Sequence, residues 1–570
     1  MALPSEKVHE LKQIIHSHVS QMNVHSRIRD CVDESFRGEE AESAGIDEAG
    51  LLNALKERGI VDDVMNTLKF EGLERDPGRS KDKRRVNALE EVPARVGVDP
   101  TRRYLYLQVL GGKAFLEHLQ DPEPLPGKVT STFTLYDNDL RFLLELQKDG
   151  GKMADAATLL SISDYIHLVL IKTDPSGDTT LIGSHFLPWR DILSAANGRL
   201  TSAVEINGVG AEAKVPMGIL EIKFEIIPRL SQILTKEVIS AQVNLEHSRI
   251  AERERLFLVY AKQWWKEFLQ IRASHSNRLV KIFAQDECGT NRPVCSFVCP
   301  LRAGRLLDSP RQAARFVSLL GYEHAPSVGG GRAEMWSSLH AFLCKGKGDC
   351  EDHAVLLCSL LLGFGLNAFV CVGTKGKGAA HTWVMTISPE GEVTFWESLT
   401  AHRYAHRPVN PDDPPALKQS RPDHPYRTVG CVFNHRTFYA NSQPTDSVEV
   451  CQFELQNEAR WKCMSEEALR SVCGPKILPS GPVFPPLYPS GVDSSLVSND
   501  MEHELRSLVT DHRRDLGLNT AWDDESPVCE EIICCRGDHV RLAVRVRVFT
   551  YPEGACAVWI MFAVRYRSIL

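Results

Sequence analysis

Apolar positions recur at helical spacing over residues 5–33, at Leu11, Ile14, Ile15, Val19 and Met22 and then Val24, Ile28 and Val32. A second patch follows at Leu51, Leu52, Leu55, Val61, Val64, Met65 and Leu68, interrupted at Gly59. Together they predict an N-terminal helical unit over 1–70, whose amphipathic helices bury one face in their own domain. The period is lost over 71–100, where Gly78–Arg85 is mostly charged. That stretch reads as a solvated linker. Over 101–230 the pattern becomes that of strands: Tyr104–Leu110, Ser131–Leu135, Ile166–Ile171, Leu181–Leu187 and Gly218–Ile226, bounded by Gly, Pro and Asp turns. Strands spaced this way predict a β-sandwich, with little strand material between Leu135 and Ile166 to complete it. Residues 231–273 return to a helical stripe at Leu245, Ile250, Leu256, Val259, Trp264, Phe268 and Leu269. They predict a connector helix whose tryptophans pack on the next domain.

Residues 274–404 form that domain. Helices are expected at Arg311–Leu320, at Met335–Leu343 and after Cys350, followed by strands at Asn367–Gly373, His381–Ile387 and Val393–Glu397. Residues 405–430 are a proline-rich loop. Residues 431–570 form a β-rich C-terminal region with a second proline-rich insert at 474–490. It ends in a hairpin, Val540–Val548 and Ala557–Val564. A lone hairpin is marginal in water, so its partners are expected among strands at 430–455, where Cys431–Asn434 and Ser447–Leu455 read as extended.

Composition narrows the class. The 570 residues are 43% hydrophobic and 25% charged, with a net charge of −8, ordinary for soluble globular domains. No basic excess points to nucleic acid. The first residues lack a secretory apolar region, and no apolar run approaches the roughly 20 residues of a membrane helix. The 16 cysteines are irregularly spaced and read as reduced, mostly buried thiols, with cytosolic or nuclear residence as the expectation.

One constellation carries chemistry. Gly348-Asp349-Cys350-Glu351-Asp352-His353 opens a leucine-rich helix, His381-Thr382-Trp383-Val384 opens a strand, and Trp396-Glu397-Ser398 ends another. A thiol at a helix N-terminus has its thiolate favoured by the dipole and the unpaired N–H groups. Lys345 and Lys347 would help, whereas Glu351 and Asp352 oppose. A cysteine nucleophile also needs a base, and the base an orienting acceptor. Cys350, His381 and Glu397 supply these roles, with His353 as a helix-surface or supporting residue. A zinc site from Cys295, Cys299, Cys344 and Cys350 lacks paired CxxC knuckles. No metal and no cofactor is expected.

These motifs, with Gly365-Leu366-Asn367-Ala368, resemble the transglutaminase-like, papain-type core, in which Cys350, His381 and Glu397 match the cysteine, histidine and acid. That family usually has Asp-Pro where this chain has Glu397-Ser398. The opening and closing strands of 101–230 resemble a C2 domain. Asp121, Asp137, Asp139, Asp174 and Asp178 do not form the paired loops of a calcium cage, so a calcium-independent sandwich is expected.

The fold class is therefore multidomain α+β: a helical N-terminal unit, a C2-like β-sandwich, a transglutaminase-like domain and a C-terminal β-rich region. That order resembles a family of centrosomal proteins. Asp99–Leu105, Leu258–Trp265 and Phe395–Thr400 carry the resemblance specifically. It implies a binding module without peptidase activity and residence at the cytoplasm, cytoskeleton, centrosome and centriole. It also implies a role in limiting centriole duplication through contacts with centriolar proteins, including the centriolar capping protein complex. No nucleic acid and no transmembrane segment is implied, and weak lipid contact by the C2-like module is the remaining partner reading. The alternative is an active cysteine hydrolase or transferase. Against the family pattern the chain lacks one sandwich segment after Leu135 and a longer one before Pro527, as a splice variant or an incomplete gene model would.

Overall fold

The computed structural model describes residues 101–567 apart from 114–140, 147–152, 164, 175, 325–326, 329–330, 333–334, 409–423, 474–486, 488, 519 and 523–536. The helical unit expected at 1–70, the linker 71–100, the strand Ser131–Leu135 and most of both proline-rich segments lie outside the described residues.

The sandwich begins with β1 (Tyr104–Lys113) and β2 (Arg141–Glu145), then β3 (Ile166–Thr173), β4 (Thr179–Leu187), β5 (Arg199–Asn207) and β6 (Pro216–Ile227). One sheet has the order β2-β1-β6-β5, and β3 and β4 form the facing hairpin. Leu105, Leu107, Leu220, Ile222, Phe224 and Ile226 alternate inward from β1 and β6 and are almost fully buried with Leu187, Ile192 and Leu193. Two strands were not read from sequence. Arg141–Glu145 is short, and Arg199–Asn207 interleaves Thr, Ser and Glu with few apolar residues.

Helix α1 (Lys236–Ile271) follows. Its start sits in the sandwich core through Ile239, and Arg190 forks onto Glu246 at 3.0 and 2.7 Å. Its end lies in the next core through Phe257, Ala261, Trp264 and Phe268. Trp264 donates its indole N–H to the Cys463 carbonyl at 2.9 Å, so the tryptophan packs on the neighbouring domain as expected.

That domain contains α2 (Pro310–Leu319), α3 (Leu339–Lys345) and α4 (Cys350–Gly363). Trp336, expected on a helix from Met335, precedes α3 and is buried. The strands are β7 (Ala368–Lys375), β8 (Ala379–Ile387), β9 (Val393–Trp396), β10 (Arg403–His406), β11 (Tyr426–Phe433), β12 (Phe438–Asn441) and β13 (Trp461–Cys463), followed by α5 (Glu466–Cys473). They form one antiparallel sheet of order β10-β9-β8-β7-β11-β12-β13. One face packs on α4, whose Ala354–Leu361 run is fully buried. The other face holds Trp383, Phe395, Tyr426, Phe453 and Trp461.

This sheet corrects the expected domain limits. It continues past residue 404 and past the 405–430 loop to Cys463, because β11 pairs with β7 in the centre. Residues 431–463 therefore belong to this domain rather than to a separate C-terminal region. Ser447–Leu455 is not a strand: it holds a single turn of 3-10 helix at Val448–Val450.

The terminal region consists of α6 (Ser494–Asp515), β14 (Ala521–Trp522), β15 (Gly537–Thr550) and β16 (Cys556–Arg567), with sheet order β14-β15-β16. The hairpin's support is thus local, contrary to the expected pairing with 430–455. α6 lies along β15, where Ser498 Oγ accepts from Val548 N at 3.1 Å and Glu502 Oε2 from Val546 N at 3.2 Å. Strand counting alone overlooked a helix that satisfies a sheet edge with its side chains.

Candidate active site

The first turn of α4 is built by local chemistry. Gly346 ends α3 in the left-handed region at φ 69°, where glycine carries no Cβ penalty. Gly348 has no room for a side chain: a Cβ there would meet Phe342 at 2.8 Å and crowd Asp352. Asp349 is the N-cap, accepting from Asp352 N at 3.0 Å. Cys350 is the first helical residue and is nearly buried, 9% exposed.

The strand-borne half comes from β8 and the end of β9. His381 Nε2 donates to Glu397 Oε2 at 2.9 Å. With a carboxylate as acceptor, Nε2 carries the proton, and in neutral imidazole Nδ1 is left as the basic nitrogen. Glu397 also accepts from the Tyr426 hydroxyl at 3.2 Å, and Lys375 Nζ stands 3.9 Å away. Burial pushes the Glu397 carboxyl up, but the His381 bond, the His381 charge and Lys375 outweigh it and hold it below the ordinary range. Tyr426 stacks on Trp383 with centroids 4.2 Å apart and planes 9° apart, and His381 stacks on both at longer range.

The helix-borne half is wired differently. The Cys350 thiol donates to Glu351 Oε2 at 3.0 Å, and among the described residues no hydrogen bond joins it to His381. Burial, then the Glu351 charge and hydrogen bond, push the thiol far above its ordinary range. Thr382 Oγ1 reaches the same carboxylate at 3.4 Å. The alternation of β8 accounts for this. Val384 faces α4 and Thr382 meets its first turn, whereas His381 shares the side of Trp383 and Tyr426.

The lysines expected to favour a thiolate are engaged elsewhere. Lys345 pairs with Glu323, and Lys347 with Asp178 at 2.7 Å. His353 is not on the helix surface. It is buried, with Nδ1 donating to the Asp349 carbonyl at 2.6 Å and the ring edge-on to Phe342. Asp352 accepts from Ser337 N at 2.8 Å and Ser337 Oγ at 3.2 Å. Burial and neighbouring acids raise both Asp349 and Asp352.

Sequence reasoning missed Tyr426, Lys375 and Lys281. The first two come from β11 and β7, brought together only by the sheet. Lys281 lies 5.4 Å over the Trp336 ring, and burial lowers it despite Glu351 and Asp349. Among the described residues no group of three or more His, Cys, Asp or Glu is arranged to hold a metal. No described helix is long and apolar enough to cross a membrane.

Four family models match the chain: the CEP76 N-terminal domain over 10–68, the CEP76 C2 domain over 97–138 and 138–232, the CEP76 peptidase-like domain over 334–464, and the Centrosomal protein of 76 kDa C-terminal domain over 524–567. The peptidase-like match ends within one residue of β13. Among solved structures, Legionella pneumophila LapG aligns at 17% identity and a TM-score of 0.19, covering 34% of this chain and 89% of that chain. The Centrosomal protein of 76 kDa of Pongo abelii is 54% identical over 658 positions, and that of Homo sapiens 53% over 659, each covering 100% of both chains. These alignments are longer than the 570 residues here, so the relatives carry residues without a counterpart in this chain. The C2 match divides at residue 138, in the segment where the sandwich reads as short. With this identity over the full length, the chain belongs to the Centrosomal protein of 76 kDa family.

Proposed function

We propose that the chain is a non-enzymatic scaffold of the cytoplasm and cytoskeleton, resident at the centrosome and its centrioles. In this reading it limits centriole duplication to once per cycle by preventing reduplication. It acts by binding centriolar proteins, including the centriolar capping protein complex. The peptidase-like domain serves as a binding module. The observation that carries this reading is the partner of Cys350: its thiol donates to Glu351, and burial and that carboxylate push it above its ordinary range, whereas thiol nucleophiles require a thiolate paired with a base. The centrosomal name of the relatives supports the location.

The test is the Cys350→Ala chain expressed in cells depleted of the endogenous protein. Normal centriole number is the expected outcome. Reduplication in the presence of a stably folded Cys350→Ala chain rejects the scaffold reading.

A second reading, a cysteine hydrolase or transferase, has one observation in its favour. His381 and Glu397 keep a 2.9 Å hydrogen bond, and Tyr426 supports it. It requires Glu351 to release the thiol toward His381. Labelling of Cys350 in the wild-type chain by a thiol-directed peptide probe at neutral pH, abolished by His381→Ala, is the result that favours it.

A further inference from the structure

Val558, Trp559, Ile560, Met561, Phe562 and Val564 of β16 are each 40–58% exposed. Among the described residues no strand pairs with the outer edge of β16. The directions of its main-chain groups follow from β15. Val546 and Val548 send their N–H groups outward to α6, so their partners Ile560 and Val558 stand at non-hydrogen-bonded positions of the hairpin. The N–H and C=O groups of Val558, Ile560, Phe562 and Val564 therefore point to the free edge. Natural sheets blunt such an edge with charge, proline or a covering element. From Cys556 to Val564 this strand has neither charge nor proline.

We propose that β16 pairs antiparallel with β16 of a second copy of this chain, about a two-fold axis at Ile560, joining two three-stranded sheets into one of six. The residue pattern is symmetric about that position: Ala557-Val558-Trp559-Ile560-Met561-Phe562-Ala563. In this register Trp559 faces Met561 of the second copy, Val558 faces its Phe562, and Ala557 faces its Ala563, so large side chains meet large and small meet small. Aromatic–aliphatic and sulfur–aromatic cross-strand pairs are favourable. A two-fold pairing also closes, which an edge free to stack on unrelated strands does not.

The experiment is sedimentation of the full-length chain, wild type against Ile560→Lys, with thermal melts of both. Ile560 is exposed in the single copy, and a lysine on the axis meets its own charge. The wild type is expected at twice the monomer mass and Ile560→Lys at the monomer mass with an unchanged melt. A second variant, Ile560→Cys, does not depend on disruption. Hydrogen-bonded antiparallel pairs have Cα atoms about 5.5 Å apart, within disulfide range. Mild oxidation of this variant with Cys556→Ser, which removes the native thiol of the same strand, is therefore expected to join two copies through the introduced thiols, read by mass spectrometry as a β16 peptide disulfide-linked to itself. A monomeric wild type whose β16 amides exchange slowly means that another segment of the same chain covers the edge, and overturns the proposal. So does a monomeric wild type with fast exchange, or a dimer that survives Ile560→Lys without the linked peptide.

Discussion

The two halves of the Cys350 site lie within one domain and are built to opposite ends. The strand-borne half surrounds its ionisable pair with support: His381 bonds Glu397, Tyr426 donates to the same carboxylate, Lys375 adds charge, and Trp383 underlies the stack. The helix-borne half sets its thiol beside the acids Glu351 and Asp349 and hides it from solvent. A helix dipole is worth roughly 0.3–1 kcal/mol at most termini. Burial and an adjacent carboxylate exceed that. Position at a helix start is therefore insufficient to make a nucleophile; burial decides first and the nearest charge second.

The largest effect is expected from breaking the strand-borne half at its base. Trp383→Ala leaves a cavity beneath His381 and Tyr426 and should cost about 3–5 kcal/mol, read as a shift in denaturant midpoint. Next is the exchange that would bring the halves together. Glu351→Gln removes the charge beside the thiol, and alkylation of Cys350 by iodoacetamide near pH 8 should speed up by about tenfold, the effect of one pKa unit. An unchanged rate would show that burial alone silences the thiol. Tyr426→Phe removes one hydrogen bond to Glu397 and should cost about 1 kcal/mol, with the stack intact by near-ultraviolet circular dichroism.

The smallest effects are opposite in sign. The Glu397 carboxyl is depressed in the fold, so its contribution is present above the unfolded value of about 4.3 and is lost as pH falls through the folded value. Glu397→Gln should reduce the loss of stability in acid. The Asp349 and Asp352 carboxyls are raised. Their contribution is present below the unfolded value of about 4 and is lost as pH rises toward the folded values, about 7 for Asp352 and about 9 for Asp349. Asp352→Asn should flatten that limb by on the order of 1 kcal/mol, measured as denaturant stability between pH 5 and 7. If both variants moved the same limb, the contrast between the halves would be wrong.

Much of this was legible in the chain. The α4 start was readable from Gly348 and Asp349, and the sandwich core from the alternation in β1 and β6. The acids beside Cys350 were visible as opposing charges. The domain limit at 404 was not, because a proline-rich loop separates β10 from β11 in sequence while the sheet places β11 beside β7. Tyr426 and Lys375 were invisible for the same reason. The helical cover of the hairpin was missed because α6 satisfies β15 through Ser498 and Glu502, residues with no strand pattern.

By itself the sequence determined the order of the parts, the periodicity of each element and the three residues Cys350, His381 and Glu397, all of which depend on local spacing. Only the tertiary structure decided which of them touch. Strand alternation sends Thr382 to the helix and His381 to the aromatic face. Burial beside Glu351 then pushes the thiol above its ordinary range, because desolvation and pairwise charge depend on neighbours in space that spacing along a chain does not reveal.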